Sequence, residues 1–388
     1  MNPLYSFQTA GRIVAGINSL KQLHAHLSIF GEIKNILLVS TPFFKEHSFN
    51  DMITEQLKTL GISYDILAEV EPEPTISHIE DLYGKMAGGE YDILIGLGGG
   101  SVLDATKLLS VMSTNDMSLR SMVGTDKIKQ KGVPVILIPT TSGTGSEVTP
   151  NAIVTLPDEE LKEGVVSRYL LPELVILDPI LTLSLPPSIT AATGMDAFTH
   201  SFESFISNKA NPISDMFALQ SMRLISRSII EAYENGQNII ARHDMLIGST
   251  YGGMALTSAG TAAVHALAYP LGGKFHIPHG EANSMLLPHV TRFNLDHIEE
   301  RMAIIAKEIG VIKDGYSGSQ DAANQLIEQI ENWTLKLNIP QDLKAFGVKR
   351  EDISDLAIAA SKVTRLLNNN PKTLSIEDME NIYKKLLN

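Results

Sequence analysis

Short apolar runs alternate with helically spaced segments through the first half of the chain, and long helical patterns fill the second. Asn35–Ser40 (NILLVS), residues 92–97 (DILIGL), residues 133–138 (VPVILI) and Leu174–Leu177 (LVIL) are bounded by Gly, Pro or Asp. Runs this short and this apolar predict buried strands, being too short for helices. Between them, residues 50–60 and Ile76–Met86 repeat apolar positions at helical spacing. That alternation predicts βα units on a largely parallel sheet. After Pro186-Pro187 the pattern predicts helices near 187–207, 211–235, 239–259, 295–309, 318–337, 350–363 and 375–387, with no strand among them. A Pro pair starts a helix but does not sit inside one. The expected organisation is an α/β dinucleotide-binding domain over 1–184, Rossmann-like, followed by an all-α metal-binding domain over 185–388.

Composition narrows the chemistry. The 388 residues suit two domains. A hydrophobic share of 44% with 19% charged residues is the balance of a soluble globular protein. The net charge of -13 disfavours nucleic acid and anionic membranes as partners. With no cysteine, thiolate sites and disulfides are excluded, so any metal rests on His and carboxylates. No apolar run approaches the ~20 residues that span a bilayer, and the N-terminus lacks a signal-peptide layout. A cytoplasmic enzyme is the expectation.

Two turns point to a nucleotide. The 92–97 run leads into Gly98, Gly99, Gly100 and Ser101 and then a helical stretch over 102–112 that includes Asp104. Glycines there admit a phosphate to the backbone, the helix N-terminus supplies free N–H donors, and Ser101 is placed to cap it. The motif is neither GxGxxG nor a P-loop, and alone it also describes a tight strand-to-helix turn. The 133–138 run leads into PTTSGTGSEVT, where Thr140, Thr141, Thr144 and Ser146 form a second hydroxyl- and glycine-rich turn. Open α/β sheets bind ligands at the carboxyl ends of their strands, and two such turns favour a nucleotide.

A metal pattern follows in the helical half. Asp196 and His200 stand at i and i+4, so one helix face presents both. His265 sits in an Ala-rich stretch, and His279 follows Pro278 and precedes Gly280, a bend that aims it inward. The competing reading is a solvated Asp–His pair. His276 and His289 are also available, so spacing alone does not choose the ligands. Three imidazoles and one carboxylate suit Fe(II) or Zn(II).

These motifs resemble those of the iron-containing (group III) alcohol dehydrogenases, within the superfamily of glycerol dehydrogenase and dehydroquinate synthase. The resemblance spans nearly the whole chain: GINSL (16–20), IGLGGGSVLDATK (95–107), PTTSGTGSEVT (139–149), ATGMDAFTHSFE (192–203) and HALAYPLGGKFHIPHGEAN (265–283). It implies Asp196, His200, His265 and His279 as metal ligands. It implies the Gly98–Ser101 turn for the pyrophosphate, the second turn for the rest of the cofactor, and Lys162 near the nicotinamide ribose. It further implies a homodimer or larger homo-oligomer.

Two positions depart from the family pattern. Ser40-Thr41-Pro42 stands where many members carry an aspartate toward the adenosine ribose, which predicts that both NAD and NADP bind, with Thr41 at that end. Tyr269 stands where many relatives carry a second histidine; with His276 it is a candidate for proton transfer, or it shapes the pocket. The expected reaction is hydride transfer between a nicotinamide and a metal-held small primary alcohol or aldehyde. Few basic residues flank the ligands in sequence, which favours neutral substrates over a hydroxy acid such as 4-hydroxybutyrate. A lyase like dehydroquinate synthase would need a basic cluster for a phosphorylated substrate, and a non-catalytic binding protein would not need four intact ligands.

Overall fold

The computed structural model describes residues 4–44, 48–313 and 318–387. The first half comprises β1 (Ile13–Ala15), a one-turn α1 (Leu23–His26), β2 (Asn35–Ser40), α2 (Ser48–Thr59), β3 (Ser63–Ala68), α3 (Ile76–Met86), β4 (Ile93–Gly98) and α4 (Gly100–Met112). A one-turn α5 (Leu119–Met122), β5 (Gly124–Thr125), β6 (Val135–Pro139), β7 (Asn151–Leu156), β8 (Leu161–Val166) and β9 (Leu174–Leu177) follow. Six strands form one parallel sheet in the order β1-β9-β6-β4-β2-β3. Leu37 and Val39 face one layer with Leu94 and α3–α4, while Ile36 and Leu38 face the other with Ile93, Ile95 and α2. Both faces are covered, which is why these strands read as unbroken apolar runs rather than alternating ones.

The chain direction across the sheet reverses between β2 and β4, the crevice where doubly wound sheets bind ligands. The turns after β2, β4 and β6 open there. A smaller sheet, β5-β8-β7, carries the antiparallel β7–β8 hairpin beside it. Sequence patterning did not anticipate that hairpin, nor β1, β3 and β5.

From residue 187 the described residues are helical: α6 (Pro187–Ile206), α7 (Pro212–Glu234), α8 (Ile239–Ala259), α9 (Ala263–Phe275), α10 (His279–Glu308), α11 (Ser319–Lys336), α12 (Ile353–Ser361), the one-turn α13 (Thr364–Leu367) and α14 (Ile376–Lys384). Pro187 occupies the first turn of α6, where its missing N–H costs nothing. α9 was not expected, and α10 begins at His279 rather than near 295. Pro270 lies inside α9 and Pro288 inside α10, and each would ordinarily mark a helix end. Dense packing overrides them: Leu267, Leu271, Leu286 and Leu287 are all fully buried in the helical core. No described helix is long and apolar enough to cross a membrane.

Candidate metal and nucleotide site

The sheet and the helices meet at a cavity of about 440 Å³, a volume typical of small-molecule sites. On the sheet side it is lined by Thr41, Gly99, Gly100, Ser101, Asp104, Thr141, Thr144, Ser146 and Lys162. Gly99 caps α4, so the first N–H groups of that helix have no intrahelical acceptor and carry the positive end of its dipole. Ser101 was expected to cap the helix; instead it stands in the first turn, and its hydroxyl accepts the Glu73 N–H at 3.0 Å. Gly98 and Thr140 lie behind the wall, joined by the Thr140 N–H donating to the Gly98 carbonyl at 2.9 Å.

The two turns are locked together. A Cβ on Gly100 would fall 2.5 Å from Cγ2 of Thr144, so only glycine lets the second turn approach the helix N-terminus. Asp104 accepts from the Ser146 hydroxyl and from the Ile153 N–H at 2.9 Å, which makes it a brace as well as a wall residue. Lys107, fully buried, pairs with Asp104 at 3.1 Å and donates to the Ser146 carbonyl at 3.0 Å. Burial pulls its ammonium pKa down, and Asp104 and Glu147 oppose that pull. Gly145 has φ +59°, and a Cβ there would meet the Gly253 Cα of α8 at 2.5 Å. The second turn therefore seats directly on the helical region.

On the helical side Asp196, His200, His265 and His279 each offer a ligand atom, all within 4.8 Å of one another. Asp196 Oδ1 is 3.9 Å from His200 Nε2 and 3.8 Å from both His265 Nε2 and His279 Nε2. Such mutual spacing suits a cation held by bonds of about 2.0–2.2 Å after slight contraction. Asn283 Nδ2 is the donor these atoms share, at 2.7 Å from Asp196 Oδ1 and 3.1 Å from the two Nε2 atoms of His265 and His279. Its Oδ1 is buried without a partner. Three acceptors, on buried Asp196 and His265 and partly buried His279, converge on a single amide nitrogen while the amide's other end is orphaned, a donor set arranged for a cation.

The ring orientations are fixed from behind. His265 Nδ1 lies 2.7 Å from Glu203 Oε2, and His200 Nδ1 lies 3.2 Å from the Gly143 carbonyl. Each contact holds the proton on Nδ1 and leaves Nε2 as the acceptor, the arrangement of carboxylate–histidine–metal triads. Glu203 is fully buried and also accepts from the Ala262 and Val264 N–H groups at 2.9 and 2.6 Å, so it caps α9 as well. Sequence reasoning missed Glu203 and Asn283. Glu203 follows His200 by three positions and Asn283 follows His279 by four, so both share a helix face with a ligand.

Burial sets the protonation. It drives the His279 imidazolium down to about 3, against the attraction of Asp196. His200 is lowered by burial in the same way. Burial acts to raise Asp196, but His200, His279 and His265 outweigh it and hold the carboxyl below its ordinary range. Neutral imidazoles beside an ionised carboxylate are the ligand-competent forms.

Tyr269 lines the same cavity, its ring 5.9 Å from that of His279. Burial raises its phenol, and the Arg365 guanidinium beside it opposes the rise. His276 does not join them: it is the exposed, left-handed C-cap of α9, with φ +55°, outside the cavity wall. The cavity holds more positive charge than the sequence around the ligands suggested. Lys162 enters from β8 and Arg365 from α13, the former ion-paired with Glu73 at 2.7 Å.

Residues 10–179 match the iron-containing alcohol dehydrogenase family, and residues 190–387 match the C-terminal part of the Fe-containing alcohol dehydrogenase family. Long-chain-alcohol dehydrogenase 1 of Geobacillus thermodenitrificans is 40% identical over 372 residues, 95% of this chain and 93% of its own. The crystal structure of a 1,3-propanediol oxidoreductase superposes with a TM-score of 0.95 at 33% identity, over 99% of this chain and 100% of that one. A sulfoacetaldehyde reductase from Bifidobacterium kashiwanohense, solved in complex with NAD+, superposes with a TM-score of 0.88 at 27% identity, over 99% of both chains. With Asp196, His200, His265 and His279 grouped so that they could hold a metal in the cavity that also holds the α4 N-terminus, the chain belongs to the iron-containing alcohol dehydrogenase family and is an oxidoreductase of that kind.

Proposed function

We propose that the protein interconverts a short primary alcohol and its aldehyde, using NAD or NADP and one Fe(II) or Zn(II) held by Asp196, His200, His265 and His279. The observation that carries this reading is the placement of all four ligands in one cavity with the glycine-capped N-terminus of α4. When bound, the cation supplies Lewis acidity toward the substrate oxygen and the nicotinamide C4 supplies or accepts the hydride. Reduction consumes one aldehyde, one hydride and one proton, and returns one alcohol.

The protein's own residues align and enclose. The first N–H groups of α4 and the hydroxyls of Thr141 and Thr144 serve the pyrophosphate and ribose. Lys162, held by Glu73, is the cation placed for the nicotinamide ribose. Thr41 stands at the adenosine end with no carboxylate of its own to repel a 2′-phosphate, which supports binding of both cofactors. Tyr269, its phenol held protonated by burial, acts as a hydrogen-bond donor that shapes the pocket rather than as a base. Thr144 and the cofactor ribose are the hydroxyls left to pass a proton. A homodimer or larger homo-oligomer in the cytoplasm belongs to the same reading.

The test is aldehyde-dependent oxidation of NADH and NADPH by metal-stripped protein, alone and reloaded with Fe(II) or Zn(II). Turnover is expected only after reloading, with kcat/KM for the two cofactors within about a hundredfold. No turnover with either metal across a broad aldehyde panel would reject the reading.

A further inference from the structure

Arg365 is far from the metal ligands in sequence, yet α13 delivers it to the wall of their cavity. Its guanidinium rests over β8, where Nη2 would lie 3.2 Å from a Cβ on Gly164. It stands beside Tyr269, whose ring neighbours His279. Arg365 is therefore at the metal end of the cavity, away from the Thr41 end where a cofactor 2′-phosphate would lie.

The other charges of the wall are already matched. Glu73 pairs with Lys162 at 2.7 Å, Asp104 pairs with Lys107 at 3.1 Å, and Asp196 faces three imidazoles. Among the described residues no carboxylate lies within 4.0 Å of the Arg365 guanidinium. Glu163, on the strand beneath, acts on Tyr269 through space but forms no ion pair with Arg365. The Arg365 guanidinium meets the neutral Tyr269 hydroxyl, and its planar fork matches a carboxylate or sulfonate.

We propose that Arg365 is the specificity residue for a substrate anion: the preferred substrate is a short aldehyde or alcohol bearing a carboxylate or sulfonate at its far end. The terminal anion meets Arg365 while the reacting oxygen lies among Asp196, His200, His265 and His279. This rests on the dehydrogenase reading above and names its substrate class. It reverses the preference for neutral substrates drawn from the sparse basic residues near the ligands in sequence.

The experiment measures kcat and KM of the metal-loaded enzyme for succinic semialdehyde against butanal, and for sulfoacetaldehyde against propanal. Native enzyme, Arg365→Met and Arg365→Lys are compared. The native enzyme should favour the anionic member of at least one pair by about 10- to 100-fold in kcat/KM. That pair identifies the anion. Arg365→Met should remove the preference mainly through KM, and Arg365→Lys should restore part of it. A native ratio near unity in both pairs, a ratio unchanged by Arg365→Met, or equal losses on both members of a pair would overturn the proposal. In each of those cases neutral aldehydes still turn over, so the dehydrogenase reading stands. Absence of turnover with any of the four aldehydes would instead overturn the dehydrogenase reading and this inference with it.

Discussion

The sheet-side wall of the cavity draws its residues from the turns after β2, β4 and β6, with Lys162 from β8, whereas the helical wall gathers Asp196, His200, His265 and His279 from α6, α9 and α10. The first wall works largely through backbone: the bare N-terminus of α4, and glycines where a neighbouring turn must approach. The second works through side chains whose ring faces and protons are fixed by Glu203 and Gly143. A backbone site degrades gradually as its side chains are changed. A four-ligand centre fails when one ligand is lost, because the remaining buried acceptors have no common partner.

Four substitutions would break or sharpen that contrast. His265→Ala should lower bound metal well below one ion per chain. It should also lower kcat/KM by about a thousandfold or more, the several kcal/mol a Lewis acid supplies. Elemental analysis beside aldehyde-reduction kinetics checks both, and full metal occupancy would show that the four residues are not one centre. Glu203→Gln keeps the shape but weakens the acceptor behind His265. Metal affinity, read by chelator competition, should fall by about 10- to 100-fold.

Gly145→Ala puts a Cβ against Gly253 in a left-handed backbone. It should cost about 1–3 kcal/mol of stability and raise the cofactor KM while leaving metal content unchanged. Thermal unfolding and cofactor titration would show whether the second turn depends on that seat. The smallest effect is expected from Tyr269→Phe. Since burial raises the phenol above its ordinary value, it stays protonated between about pH 6 and 9 and no titration of it enters that window. The kcat should fall by less than about tenfold with the pH profile unchanged in shape; loss of a limb of the profile would restore the relay role.

The same contrast decides what the sequence displayed. β2, β4, β6 and β9 were legible because both faces of the sheet are buried and the runs are continuous. The β7–β8 hairpin was not, since Asn151–Leu156 alternates around half-buried positions and sits between two turn-rich stretches. Helices α9 and α10 hid behind Pro270, Pro288 and the Gly272-Gly273 pair, which local rules treat as breaks but the helical core absorbs. At the site, the i, i+4 spacing of Asp196 and His200 described a solvated pair as well as a metal pair, and the choice of His265 and His279 over His276 and His289 came from family resemblance. The structure gives His276 a solvent-exposed capping position. Arg365 had no sequence signal at all: a four-residue helix near the end of the chain carries no periodicity that would point it at His279. Contacts made by distant segments are the part that local pattern does not encode.

The central claim is that one cation is shared by Asp196, His200, His265 and His279 across the cleft from the α4 N-terminus. Anomalous diffraction at the iron or zinc edge, on crystals of the metal-loaded protein, tests it most directly. The account predicts one peak lying about 2.0–2.2 Å from Asp196 Oδ1 and the three Nε2 atoms, with the Asn283 amide turned away from it. A peak at another cluster, or none in protein that turns over aldehyde, would contradict it.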